Sequence, residues 1–269
     1  MRRLFPLSSE AGSDPDPTAD RAWTLDELAD AYGYPGAADR PRHGPESAGT
    51  SWLRGNMVAS LDGAAHHDGR SQPLSSDTDM RIFGVLRGLA DAIVVGAETV
   101  RKEGYRPARA RKAFAERRKA AGQTPAPAVV VLSAGLELDF EAPLFSAPLT
   151  PTLIVTGSGA PVERVEAAQH AGVRVLFAGE GVGADPARVP GVLAEEGHTR
   201  LLTEGGPWIL GEFAAAGVLD ELCLTVSPRI TAGDAPRIMR GGVFPVPVDF
   251  GLESVLEEAG FLFTRYRRR

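Results

Sequence analysis

The sequence predicts an α/β fold: a largely parallel sheet covered on both faces by helices, with an antiparallel C-terminal edge. Three observations lead there. From Ser51 onward, apolar strand-like runs alternate with amphipathic helical stretches, the pattern of a parallel sheet between two helical layers. After Cys223 the alternation stops, and two short strand candidates close the chain with no helix between them, which suits an antiparallel edge. Finally, 269 residues of which 43% are apolar can bury a substantial core, as one large domain or two small ones.

Residues 1–50 are rich in proline, glycine and small polar residues and cannot order themselves independently. Within them "WTLDELADAYGYP" predicts one short helix packed on the main domain. Thr24 and Glu27 form its capping box, Leu25 and Leu28 share a face, and Gly33 and Pro35 stop it. The main domain, 51–269, places strands at "WLRGNMVAS", "DAIVVG", "PAVVVLS", "TLIVT", "VRVLFA", "TRLLTE" and "ELCLTVS". Helices are predicted between them near 77–89, 108–121, 162–170, 186–196 and 207–216. "SPRITAGDAPRIMRGG" reads as a turn-rich excursion, and "LESVLEE" and "FLFTRYR" as the closing strands. The charges of "ARARKAFAERRKAAG" are expected to coat a solvated helix face, and those of the terminal "RYRRR" to form a solvated tail.

Composition narrows the function classes. The 29 basic against 35 acidic residues, a net charge of -6, argue against broad adhesion to nucleic acid or anionic membrane. The single cysteine, Cys223, excludes an internal disulfide and multi-cysteine metal sites, and its setting in "ELCLTVS" predicts inert packing in a buried strand. The longest uncharged run, Ala142 to Val162, is broken by Pro143, Pro148, Pro151 and Pro161, so no membrane span is expected. The first residues have no apolar stretch of secretory length, which makes the cytoplasm the expected location. No metal is expected either: His66 and His67 are adjacent without an acid cluster, and His43, His170 and His198 are scattered.

Three predicted strands end in glycine-bearing turns followed by helical sequence: "IVVGAETV", "LIVTGSGAPV" and "LLTEGGPWI". Such turns leave backbone N–H groups aimed at any anion near the helix start. In the middle one, Gly157, Gly159 and the later Glu180 suggest a dinucleotide fingerprint, but Val162 stands where the third glycine should be. In the last, Gly205 and Gly206 precede Pro207, a residue favoured in the first helical turn; a bare turn and a phosphate cradle fit that segment equally.

The block "NMVASLDGAAHHDGRSQPLSSDTDMRIFGVLRGLADAIVVGAETVRKEGYRP", followed by "TEGGPWILGEFAAAGVLDELCLTVSPRITAGDAP", resembles the reductase domain of the riboflavin-pathway deaminase-reductases. It is most similar to the stand-alone actinobacterial pyrimidine reductase-like members. No His-x-Glu with Pro-Cys-x-x-Cys signature of a deaminase is present. The resemblance implies a dihydrofolate reductase-like three-layer sandwich, a homodimer, and hydride transfer from NADPH to a pyrimidine carrying a phosphoribosylamino group. It also implies cofactor contacts at Val58, Ala59, Thr99, Ser133 and the loop of Gly205, Gly206, Pro207, Trp208, Ile209, Leu210 and Gly211. Gly96 joins these because a side chain there would block close approach of backbone and ligand. Ser133 with Arg101 would supply donors for a 2′-phosphate.

For the substrate, the resemblance implies Ser71, Arg87 and Glu204, and Arg87 has the planar donors that suit a phosphate or a uracil carbonyl. Asp62 of "SLDG" fits substrate orientation and an ordinary turn equally. Two departures from the family pattern fall near the substrate. "TVRKEGYRPARARKAF" replaces the usual acidic and proline segment, with Glu103 standing for the acid and Arg106 or Arg109 for an arginine, and Asn56 stands where many members carry lysine. A pterin or dihydrofolate reductase, or an NADP-binding protein without turnover, are the alternatives. No proton donor is assigned by the sequence.

Overall fold

A computed structural model describes residues 1–6, 20–41 and 50–269, and His43 lies outside the described residues. Its single ten-stranded sheet has the order β1-β9-β10-β8-β2-β7-β3-β4-β5-β6. The parallel part comprises β2 (Trp52–Ala59), β3 (Ala92–Gly96), β4 (Ala128–Leu132), β5 (Leu153–Thr156), β6 (Arg174–Phe177), β7 (Arg200–Thr203) and β8 (Glu221–Val226). β10 (Phe261–Arg268) runs antiparallel to both β8 and β9 (Phe250–Glu258), the expected antiparallel edge.

The strands separate two cores because successive side chains point to opposite faces. Ile93, Val95, Val129, Val131 and Ile154 face α2 (Asp77–Leu89) and α6 (Val162–His170). Ala92, Val94, Val130, Leu153 and Val155 face α7 (Val189–Glu195) and α8 (Pro207–Ala215). Helix α2 starts where Ser76 Oγ accepts from the Asp79 N–H, 3.1 Å away. Three further short helices belong to this part of the chain: α3 (Ala97–Glu103), α4 (Ala115–Ala120) and α5 (Pro143–Ser146). Among the described residues no helix is long and apolar enough to cross a membrane.

The described parts of residues 1–50 are built into this frame. α1 (Leu25–Ala31) has the predicted capping box of Thr24 and Glu27 and packs on α2. The sequence reading missed β1 (Arg2–Phe5), which pairs with β9 at the sheet edge and joins it through Arg2 Nε to Glu257 Oε2 at 2.6 Å. The carbonyls after α1 enter a socket of buried charge: Arg54 donates to Tyr32 and Gly33, and Arg265 to Ala31. Glu221, with a side chain 1% exposed, pairs with both guanidiniums at 2.9 and 2.8 Å.

Two expectations are corrected, and the incomplete dinucleotide fingerprint finds another explanation. The terminal "RYRRR" is not a free tail but the end of β10, with Arg267, Arg268 and Arg269 exposed: Arg265 pairs with Glu221, the Arg267 guanidinium lies over the Trp52 ring, and Arg268 donates to the Gly217 carbonyl. The predicted helix at 108–121 shortens to α4, preceded by a turn at 112–114. Arg118 there is 2% exposed and donates to the carbonyls of Gly88 and Ala90, closing the end of α2. The dinucleotide fingerprint fails for a packing reason: the N–H groups of Gly157 and Gly159 already donate to the carbonyls of Val182 and Gly181. A Cβ at Gly157 would lie 1.9 Å from the Gly181 oxygen, so that glycine serves close packing of two loops.

Candidate functional site

In the sheet, β7 lies between β2 and β3, although the chain visits it after β6, and it then returns through α8 to β8 on the far side of β2. Such a reversal of strand order leaves a crevice beyond the carboxyl ends of the strands, where α/β sheets bind ligands. A cavity of about 420 Å³ occupies that crevice, within the usual range of ligand pockets. Its walls are Asn56 and Val58 from β2, Asp79 and Phe83 from α2, Thr99 and Glu103 from α3, and Glu204, Gly206 and Pro207 after β7. Ser71 closes the side formed by the loop after β2.

Two helix starts meet at this cavity. α3 begins after Gly96 and α8 after Gly206, and neither has a side-chain cap, so first-turn N–H groups remain for a ligand. A Cβ on Gly206 would stand 3.6 Å from Thr99 Oγ1, which brings the two turns into contact range. Gly205, at φ +90° and buried against the Met57 sulfur, holds a backbone conformation that side chains rarely adopt. This pair of starts fits a pyrophosphate group, the part of a dinucleotide cofactor that helix N-termini recognise.

Glu204 anchors the opposite wall. Arg87 Nε donates to its Oε1 and Arg87 Nη2 to its Oε2, both at 2.5 Å, and the Tyr105 hydroxyl donates to Oε2 at 2.6 Å. Burial works against the Arg87 charge, but the Glu204 contact outweighs it and holds the guanidinium above its ordinary value. The Tyr105 phenol is raised well above its ordinary value by burial and by the Glu204 charge. Glu103 is exposed at the rim, without a salt bridge among the described residues, and its carboxyl is raised by partial burial and by Glu204, against the opposing charge of Arg87. Behind this cluster lies a second cavity of about 450 Å³, lined by Arg87, Glu103, Tyr105, Arg106, Arg109 and Arg111.

The remaining expected positions divide. Ala59 is buried at the end of β2 beside the cavity, and its carbonyl accepts from Ser227. Gly96 gives room to Ile209, whose Cδ1 would lie 2.5 Å from an added Cβ where α8 packs on β3. Leu210 is fully buried, and a Cβ added at Gly211 would meet the Arg240 carbonyl oxygen at 1.9 Å. Trp208 is 52% exposed, with the Arg240 guanidinium 5.2 Å from its ring centre. Ser133 lies by a separate cavity of about 220 Å³ with its oxygen accepting from Leu136, while Arg101 donates to the Glu137 carbonyl.

Asp62 lies outside the main cavity wall. It accepts from Ser60 and from the N–H groups of Thr231 and Ala232, which lower its carboxyl to about 2 and tie it to the loop after β8. Residues 51–257 match the family described as the RibD C-terminal domain. The chain belongs to that family.

A 2,5-diamino-6-ribosylamino-4(3H)-pyrimidinone 5′-phosphate reductase of Archaeoglobus fulgidus is 28% identical over 191 residues, 70% of this chain and 86% of that protein. Its counterpart of the same name in Aquifex aeolicus is 31% identical over 157 residues, 58% of this chain and 65% of the relative. Among solved structures, a pyrimidine reductase-like protein of Corynebacterium diphtheriae superposes with a TM-score of 0.72 at 28% identity, covering 81% of this chain and 92% of that one. This member of the RibD C-terminal domain family is accordingly a reductase. Its sequence reading missed Tyr105, Asp79 and His66 in the cavity walls. Asp79 carried a signal, since it lies one helical turn after Ser75, whose hydroxyl donates to it at 2.5 Å. Tyr105 carried none, because its partner Glu204 is 99 residues away.

Proposed function

We propose that this chain reduces a phosphoribosylaminopyrimidine with NADPH, in riboflavin biosynthesis, as the names of its relatives suggest. The observation that carries the reading is Glu204, held by Arg87 and Tyr105 between the cavity at the strand ends and the arginine-lined cavity behind it. The heterocycle occupies the first cavity, where the carboxylate can accept an N–H. The phosphate end lies among Arg106, Arg109 and Arg111, whose charges suit it. Arg87 then acts on the substrate through Glu204, because its fork is already engaged.

The first turns after Gly96 and Gly206, together with Val58 and Thr99 on the cavity wall, would hold the cofactor. When bound, the reduced nicotinamide supplies the hydride. The residues of the chain orient the acceptor, exclude water and hold the proton. Glu103, which lines both cavities, is the proposed proton donor; partial burial and the Glu204 charge raise its carboxyl, the direction a general acid requires. Residues 1–50 are an extension fastened to a reductase domain of 51–269, the protein is cytoplasmic, and it forms a homodimer; a monomer mass in solution would contradict the last point.

Thermal stabilisation by NADPH, NADH, the phosphoribosylaminopyrimidine and dihydrofolate tests the reading, since a ligand that binds the folded state raises the midpoint. NADPH and the pyrimidine should each raise it, and NADH and dihydrofolate by less. Stabilisation by dihydrofolate but not by the pyrimidine would overturn the substrate assignment.

A further inference from the structure

The Glu204 carboxylate has few ways left to meet a ligand. A carboxylate offers about four lone-pair sites on its two oxygens. Arg87 Nε occupies one on Oε1, while Arg87 Nη2 and the Tyr105 hydroxyl occupy both on Oε2. The Glu204 side chain is 9% exposed, so little water competes for what remains. One acceptor position is left, on Oε1, in a residue that lines the cavity.

Tyr105 completes that arrangement. Gly104 adopts a left-handed conformation, φ +57°, at the end of α3, and the Tyr105 N–H returns to the Val100 carbonyl at 3.1 Å. This turn brings the ring beneath Arg87, whose guanidinium carbon lies 5.5 Å from the ring centre. The hydroxyl then donates to Glu204 and accepts from Arg87 Nη2, each at 2.6 Å, closing a triangle of hydrogen bonds. An arginine fork alone leaves the second lone pair of Oε2 open and permits the carboxylate to pivot. With the hydroxyl in place, Oε2 is saturated and Oε1 has a fixed direction.

We propose that Tyr105 is a positioning residue for substrate recognition, which restricts Glu204 to one acceptor on Oε1 and so selects an acceptor molecule presenting an N–H donor there. A ring carbonyl in that place would meet the carboxylate oxygen with no hydrogen between them. The inference rests on the reading of Glu204 as a substrate contact.

The test is a double-mutant cycle of Tyr105→Phe and Glu204→Gln, with steady-state kinetics on NADPH and the phosphoribosylaminopyrimidine. Tyr105→Phe removes only the hydroxyl and retains the ring beneath Arg87. The expected result is an acceptor KM raised about tenfold, the scale of one lost hydrogen bond to a charged group. The NADPH dissociation constant should stay as in the parent, while the lost internal hydrogen bond lowers the melting temperature by about 2–6 °C. In the Glu204→Gln background the same change should raise KM by less than about twofold, because a residue acting through Glu204 has nothing left to position. An unchanged KM for Tyr105→Phe, with Glu204→Gln impaired, overturns the inference alone. An equal rise in both backgrounds also overturns it, as a role independent of Glu204. If Glu204→Gln leaves KM untouched, the substrate contact itself fails and this inference with it.

Discussion

Glu221→Gln should destabilise the fold by several kcal/mol. Glu221 is 1% exposed, its Oε2 accepts from Arg54 Nη2 and Trp52 Nε1, both at 2.9 Å, and its Oε1 accepts from Arg265 Nε at 2.8 Å. The Arg54 side chain is wholly buried and that of Arg265 is 12% exposed. A neutral amide leaves both guanidiniums without a counter-charge and turns an N–H₂ donor toward one of them. Removing one partner from a buried ion pair costs about 3–5 kcal/mol. That is a large part of the roughly 5–15 kcal/mol by which domains are stable, and it lowers the melting temperature by about 10 °C in a chain of this size.

Urea unfolding followed by circular dichroism measures the loss. Because Arg54 and Arg265 hold the carbonyls of residues 31–33, hydrogen exchange at the end of α1 should accelerate as well. The pH dependence has a defined sign. Burial opposes the Glu221 charge, but the two arginines outweigh it and lower the carboxyl from 4.5 to about 2. The group is therefore more easily ionised in the folded state. Its stabilisation is present above pH 4.5 and is lost as the pH falls toward about 2. The gap between parent and variant should narrow over that interval. A variant within about 1 kcal/mol of the parent at neutral pH, or a constant gap down to low pH, would refute the reasoning.

Three further outcomes are expected. Gly211→Ala places a Cβ 1.9 Å from the Arg240 carbonyl oxygen, so backbone must move and stability should fall by about 1–3 kcal/mol; an unchanged melting temperature would contradict the contact. The Cys223 thiol, buried and pushed up to about 12 by that burial and by Glu221, should resist a disulfide reagent at about pH 8 until urea exposes it; rapid labelling of the native protein would show that the strand opens. Glu204→Gln should raise the acceptor KM by about tenfold or more while the NADPH dissociation constant changes by less than about twofold; equal loss of both would contradict the separation of the two cavity walls.

The sheet and its main helices were legible because burial on both faces requires runs such as "DAIVVG" and "PAVVVLS", and because Pro207 marks a helix start. The predicted limits of α2 and α6 match the structure. β1 was not legible: its four residues include two arginines, and an edge strand is defined by its neighbour rather than by its own pattern. The start of α3 was legible in the glycine turn of "IVVGAETV", but not its extent, because "AETVRKE" carries little apolar periodicity. The family resemblance pointed to Arg87 and Glu204 separately, but not to their pairing, since the contact spans 117 residues. Arg54, Glu221 and Arg118 resembled ordinary surface charges, and only the folded chain shows that they bind one another or the ends of helices.

The most direct measurement is the oxidation of NADPH by the purified protein in the presence of 5-amino-6-(5-phosphoribosylamino)uracil, with the product identified by mass spectrometry. The account predicts one NADPH consumed for each ribityl product formed, and a sharp fall in that rate at limiting acceptor in Glu204→Gln. Tight binding of NADPH with no oxidation by any pyrimidine or pterin acceptor would contradict it.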